Sequence, residues 1–176
     1  MMYTDTLITD FTDAAFQTAF QTYFGELGVK VTNWAGLFAG MGEKQRNYTW
    51  THRDDTGRVT SFAAWMNEDD GDLAYVRRDE KGDVTGFIQF TTVDMGCWFF
   101  TAKCGFIREF WVREELRHQG HGSQLLHMAE DWLKQQGCLC TLLTTDTAPD
   151  FYRKHGYVRE DGVEARNKDA VFLKRL

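Results

Sequence analysis

The chain has 176 residues, with 20 lysines and arginines against 26 aspartates and glutamates, a formal charge of −6. That length suits one domain, residues 1–176, with a sizeable core, and the acidic balance excludes broad nucleic-acid binding, which needs a basic face. At 43% hydrophobic and 15% aromatic the composition excludes disorder, and apolar runs as short as Phe62-Ala63-Ala64-Trp65-Met66 exclude a membrane helix of ~20 apolar residues.

Met1-Met2-Tyr3-Thr4-Asp5 has neither a basic stretch nor an apolar run, so no export signal and a cytoplasmic location are expected. The cysteines at 97, 104, 138 and 140 then read as reduced thiols packed as small apolar groups. On a strand, Cys138 and Cys140 would share a face. Neither CxxC nor HxxxH occurs, so no metal site is expected.

Phe11, Phe16, Ala19, Phe20, Phe24 and Leu27 recur at helical spacing, capped by Asp10 or Thr12 and ended by Gly28. A second helix is expected from Thr32 or Asn33 to about Met41. Gly36, Gly40 and Gly42 are not followed by the Lys-Ser/Thr of a phosphate loop. Next comes an internal repeat: Arg53-Asp54-Asp55-Thr56-Gly57-Arg58-Val59-Thr60-Ser61-Phe62 matches Arg78-Asp79-Glu80-Lys81-Gly82-Asp83-Val84-Thr85-Gly86-Phe87. Each copy reads as strand, polar turn, strand, and together they predict an antiparallel meander. The acidic run Glu68 to Asp72 between them reads as a solvated turn, without calcium-loop spacing. Trp98, Phe99 and Phe100 either border an acceptor pocket or pack beneath the sheet. Asn47-Tyr48-Thr49 is a formal glycosylation sequon, without meaning in a chain that is not exported.

A strand from Cys104 to Val112 follows, then a helix from Gly122 to Gln136 stopped by Gly137, then a buried parallel-type strand from Cys138 to Thr144. Pro149 opens a short helix through Lys154, and the last strands are Tyr157 to Arg159 and Ala170 to Leu173. This order gives an α/β or α+β layer fold.

The turn between the Cys104 strand and the Gly122 helix is where chemistry is expected. Helix N-termini present unpaired N–H groups and a positive dipole end, and glycines let backbone approach an anion. Arg117, His118, Gln119, Gly120, His121, Gly122 and Ser123 thus form a candidate pyrophosphate cradle. The plainer alternative is an ordinary glycine-containing turn. A dinucleotide fingerprint fails because Leu125 stands where its third glycine belongs.

Arg117-His118-Gln119-Gly120-His121-Gly122 resembles motif A of the GNAT superfamily, the Gcn5-related N-acetyltransferases, whose pattern is Gln/Arg-x-x-Gly-x-Gly/Ala. Glu109-Phe110-Trp111-Val112 looks like that family's fourth strand, and Phe151-Tyr152-Arg153-Lys154-His155-Gly156-Tyr157 is similar to its motif B. The resemblance is specific from about Cys104 to Leu176. The doubled hairpin is a departure, since the family usually has one, and Thr144-Thr145-Asp146 replaces the Asn often found after the fifth strand. The resemblance implies a central mixed, mostly antiparallel sheet flanked by helices, to which the repeat would add an extra hairpin in the N-terminal half. Its fourth and fifth strands would splay apart around acetyl-CoA. The cradle amides from Gln119 to Ser123 would hold the pyrophosphate. The main chain of Phe110, Trp111 and Val112 would bind pantetheine and polarise the thioester.

The implied activity is acetyl transfer to a primary amine of a small molecule or peptide, by direct transfer. A homodimer is a further expectation. Tyr152 is the candidate acid for the leaving thiolate, against a packing role beside Phe151. Glu109 is the candidate base, against a structural or substrate-binding carboxylate. The competing class is a non-catalytic acyl-CoA-binding regulatory domain. His52, His118, His121, His127 and His155 show no partner in the sequence, so no triad is expected.

Overall fold

A computed structural model describes residues 1–43, 45–46, 50–56, 58–63, 68–69, 71–94 and 102–176. Asn47-Tyr48-Thr49, Cys97 and the aromatic run Trp98 to Phe100 lie outside the described residues. The first helix, α1 (Ala14–Leu27), is capped by Asp13, whose carboxylate accepts from the Phe16 N–H at 2.8 Å. Asp10 is instead engaged in its own turn, accepting from Thr12 N at 3.0 Å, so the cap falls three residues later than Asp10. Gly28 ends the helix in the left-handed region, φ 71°. Helix α2 (Trp34–Met41) ends at Met41 as expected and is capped by the Asn33 side chain.

The main sheet runs β1 (Thr4–Ile8), β6 (Leu73–Arg78), β7 (Val84–Asp94), β8 (Lys103–Val112), β9 (Cys140–Thr145), β11 (Ala170–Arg175) and β10 (Val158–Arg159). Among the described residues, β8 with β9 is its one parallel pairing. Two short strands, β2 (Gln45–Arg46) and β5 (Glu68–Asp69), pair with each other, and β5 also touches β7. The expected mixed, mostly antiparallel sheet flanked by helices is therefore present.

The two repeat copies fold alike locally. Asp54 accepts from Thr56 N and Arg58 N, each at 3.0 Å, and Asp79 accepts from Lys81 N and Asp83 N at the same distance. Both hairpins also shift register at equivalent points, His52/Arg53 and Arg77/Arg78. They do not form one meander. Among the described residues, β3 (Trp50–Arg53) and β4 (Val59–Ala63) pair only with each other, whereas β6 and β7 belong to the main sheet. The second copy is thus the hairpin built into the main sheet. The acidic linker also departs from expectation: Asp72 is buried, bonded to Gln89 Nε2 at 2.7 Å and to Arg108 at 3.3 Å.

One sheet face packs on α1 and α2. Phe16 and Phe20 meet Phe87 at ring separations of 5.2 and 5.5 Å, with Phe38, Val76 and Trp111 around them. The other face packs on α3 (His121–Gln135) and α4 (Pro149–Lys154) through Ile88, Phe90, Leu125, Leu126, Leu133 and Tyr152. Burying each such side chain contributes ~1.5–3 kcal/mol. Gly105 admits α3 to this face, because a Cβ there would collide with Leu133. Among the described residues, no helix is long and apolar enough to cross a membrane.

Candidate active site

β8 and β9 are paired only over Cys104–Phe106 and Cys140–Leu142. Beyond that point they run on unpaired to Val112 and Thr145, and between them opens a cavity of about 610 Å³. One end of it is the turn into α3. Gly120, at φ 89°, is the helix's first cap residue and supplies no side-chain bond. The first intrahelical bond runs from Gln124 N to Gly120 O at 3.1 Å, so the N–H groups of His121, Gly122 and Ser123 have no intrahelical acceptor. Three free donors at the positive end of a 15-residue helix, beside Arg117 and His118, suit a diphosphate.

The turn is held from behind. Arg77 is 5% exposed and grips Asp5 through two bonds of 2.7 Å. Its remaining nitrogen reaches Gln124 Oε1 at 2.7 Å and His121 Nδ1 at 2.9 Å. Since a guanidinium only donates, His121 Nδ1 accepts, and burial followed by the Arg77 charge holds its pKa down. His155 supports the same turn: Nδ1 lies 2.8 Å from the Phe151 carbonyl and Nε2 lies 2.9 Å from Ser123 Oγ. A carbonyl only accepts, so the Nδ1 proton is fixed there. In the neutral ring Nε2 therefore accepts from the Ser123 hydroxyl.

The cavity's middle is an acid–base arrangement. A β-bulge at Arg108 breaks the strand parity: Gln89 faces Glu109, but Phe90 faces Ile107. Ile107 thereby joins the core under α3, while Glu109 turns toward α1. There Tyr23 donates to Glu109 Oε2 at 2.7 Å. Burial raises the Glu109 carboxyl above the ordinary carboxylate range, with the Tyr23 bond and Arg108 pulling it back and Asp72 adding to the rise. Tyr152, from α4, lines the same cavity and is buried; burial first, and the Glu109 charge second, push its phenol upward. A carboxyl of raised pKa and a phenol held protonated thus line one cavity, groups of the kind that can accept and donate a proton.

The Acetyltransferase (GNAT) family model matches residues 40–157, well over half of the sequence. The chain belongs to the GNAT acetyltransferase family. Among solved structures, a Bacillus cereus ATCC 14579 acetyltransferase is 35% identical over 60% of this chain and 73% of its own, at a TM-score of 0.48. A Klebsiella pneumoniae protein described as a putative acyl-CoA N-acyltransferase is 17% identical, covering 99% and 98%, at 0.54. The NatC complex bound to Gag peptide and CoA aligns over 100% of this chain and 99% of its own at 13% identity and 0.62. The last two share the fold. No curated protein matches the chain at a significant level.

In this GNAT chain, Glu109, Phe110, Val112, Arg117, His118, Gly120, Gly122, Ser123 and Tyr152 all line the cavity. Trp111, Gln119 and His121 do not. The Trp111 side chain is buried on the α1 face and donates to Glu26 at 3.2 Å. Gln119 folds back onto the Glu115 carbonyl, and His121 turns to Arg77. Arg117 is also engaged, donating to the Val112 carbonyl at 2.8 Å and to Glu26 at 2.6 Å. Sequence reasoning missed Tyr23, Asn167 and Asp169, which also line the cavity. Tyr23 left a signal: it stands three residues after Phe20, so a polar tip rides on an apolar helix face.

Proposed function

We propose that this chain transfers an acetyl group from acetyl-CoA to a primary amine of a small molecule or peptide, by direct transfer. The observation that carries this reading is the convergence of Glu109 and Tyr152 in a cavity that ends at the uncapped start of α3. In the proposal residues 1–176 act as one catalytic domain in the cytoplasm, and a homodimer is its expected assembly. A peptide acceptor has a precedent of fold only, in the NatC complex bound to Gag peptide and CoA.

Acetyl-CoA supplies the activated acetyl thioester. The amides of His121, Gly122 and Ser123, with Arg117, His118, Gln119 and Gly120, would hold its diphosphate; the main chain of Phe110, Trp111 and Val112 would hold the arm that leads to the thioester. An amine with pKa ~10.4 costs ~4–5 kcal/mol to neutralise at pH 7. Glu109 takes that proton, directly or through a water, and its raised pKa suits the task. Tyr23 holds the Glu109 carboxylate in place. Tyr152 gives its proton to the sulfur as the carbon–sulfur bond breaks, and its raised pKa keeps it protonated until then.

The test is CoA release measured across polyamines, aminoglycosides, amino acids and peptides, with thermal-shift binding of acetyl-CoA run beside it. Turnover on any amine class, lost in Glu109→Gln and Tyr152→Phe, is the expected result. Binding without turnover on every class replaces this reading with that of a regulatory acyl-CoA-binding domain.

A further inference from the structure

The paired ends of β8 and β9, behind the cavity, carry a second chemistry. Cys104 and Cys140 face each other as a paired position of β8 and β9, and their sulfurs lie 3.0 Å apart. Neighbouring strands sit ~4.7–4.9 Å apart, inside the Cα range of ~4.4–6.8 Å that a disulfide spans. We propose that Cys104 and Cys140 are a reversible redox pair, joined by low-molecular-weight disulfides into an intrachain bridge that clamps β8 to β9 at the closed end of their short pairing. The pair is the first of the three paired positions, so a bond there anchors the paired segment at the end away from the point where the walls diverge.

The two thiols have different parts. Cys104 is buried, and its thiol is pushed up to about 12, first by burial and then by its hydrogen bond with Cys140. Cys140 is only half-buried and is the sulfur an oxidant reaches. Its thiolate attacks one sulfur of the oxidant, breaking that S–S bond and releasing one thiol. Cys104 then attacks the Cys140 sulfur of the mixed disulfide and displaces the second thiol. Two electrons pass from the cysteines to the oxidant, and the two cysteine protons end on the released thiols. Cys138 is buried and precedes β9, so it has no facing position on β8.

The experiment treats the full chain with oxidised glutathione, alkylates the remaining thiols and maps tryptic peptides. The expected product joins the Cys104–Arg108 peptide to the Gln135–Arg153 peptide, reversed by dithiothreitol, with fragmentation assigning the bond to Cys140 rather than Cys138. Cys104→Ser should accumulate a glutathione adduct at Cys140, and Cys138→Ser should bridge like the wild type. A bridge through Cys138, or a Cys104→Ser protein with no adduct at Cys140, overturns the pair. The clamp is read separately: the oxidised wild type should melt several degrees above the reduced form, and Cys140→Ser should show no such difference. Equal melting of the two wild-type forms overturns the clamp. None of these readouts depends on acetyl-CoA.

Discussion

The cavity has two walls of different construction. The wall formed by the end of β8, the turn at Gly120 and the first turn of α3 is nearly continuous in sequence, from Glu109 to Ser123. It presents backbone amides held from behind by Arg77 and His155. The opposite wall is gathered from Tyr23 on α1, Tyr152 on α4 and the 167–169 segment, and it presents side-chain oxygens. In the proposed reading the first would hold an anion through the main chain, and the second would move protons together with Glu109, at the edge of the first, so that there a single oxygen matters.

Loss of one hydroxyl from the second wall should therefore cut turnover without weakening cofactor binding. Tyr152→Phe should lower kcat by ~10²-fold or more and leave the acetyl-CoA affinity within a factor of ~2, by steady-state kinetics and calorimetry; a change in affinity alone would erase the distinction between the walls. Glu109→Gln should lose kcat on a similar scale and yet be more stable. A carboxyl whose folded pKa is raised adds stability below its unfolded pKa and loses it as pH rises through the folded value. The glutamine variant should thus melt above the wild type at pH 7, with the gap closing below the ordinary carboxylate range. A variant that melts lower at pH 7 contradicts the burial argument.

On the first wall the effects should be smaller and appear in binding. Gly120→Val puts a β-branched residue at φ 89°, a strain of ~1–2 kcal/mol, and should weaken acetyl-CoA binding by roughly tenfold with kcat largely kept. The smallest effect expected is from Tyr23→Phe. It removes a bond that holds the Glu109 pKa down, so the acidic limb of the kcat profile should move to higher pH, with a loss of less than ~10-fold at pH 7. An unchanged profile would leave Tyr23 as packing alone.

The legibility of the chain divides along the same line. Helix α4 has the bounds read from Pro149 to Lys154, because proline and the following Gly156 are local signals. Gly28 and Asn33 mark α1 and α2 for the same reason. The repeat shows the limit. Its two copies encode the same aspartate-centred turn, yet one joins the main sheet and one does not, since turn chemistry specifies a hairpin and not its neighbour. β1 was invisible: Thr-Asp-Thr-Leu-Ile is short, and its place comes from pairing with β6 and from the Asp5–Arg77 bonds. Tyr23 with Glu109 and Ser123 with His155 join residues 86 and 32 positions apart. Periodicity reports that a face is apolar, but not which distant side chain will meet it.

The short pairing of β8 with β9 leaves their facing margins beyond Phe106 and Leu142 unpaired with each other, inside the molecule rather than at its rim. Main-chain groups along such margins need partners, and a ligand with amides of its own could thread between them as a missing rung. Occupancy would then knit the two halves of the sheet together, so saturation should slow amide exchange along both strands well beyond the atoms the ligand touches.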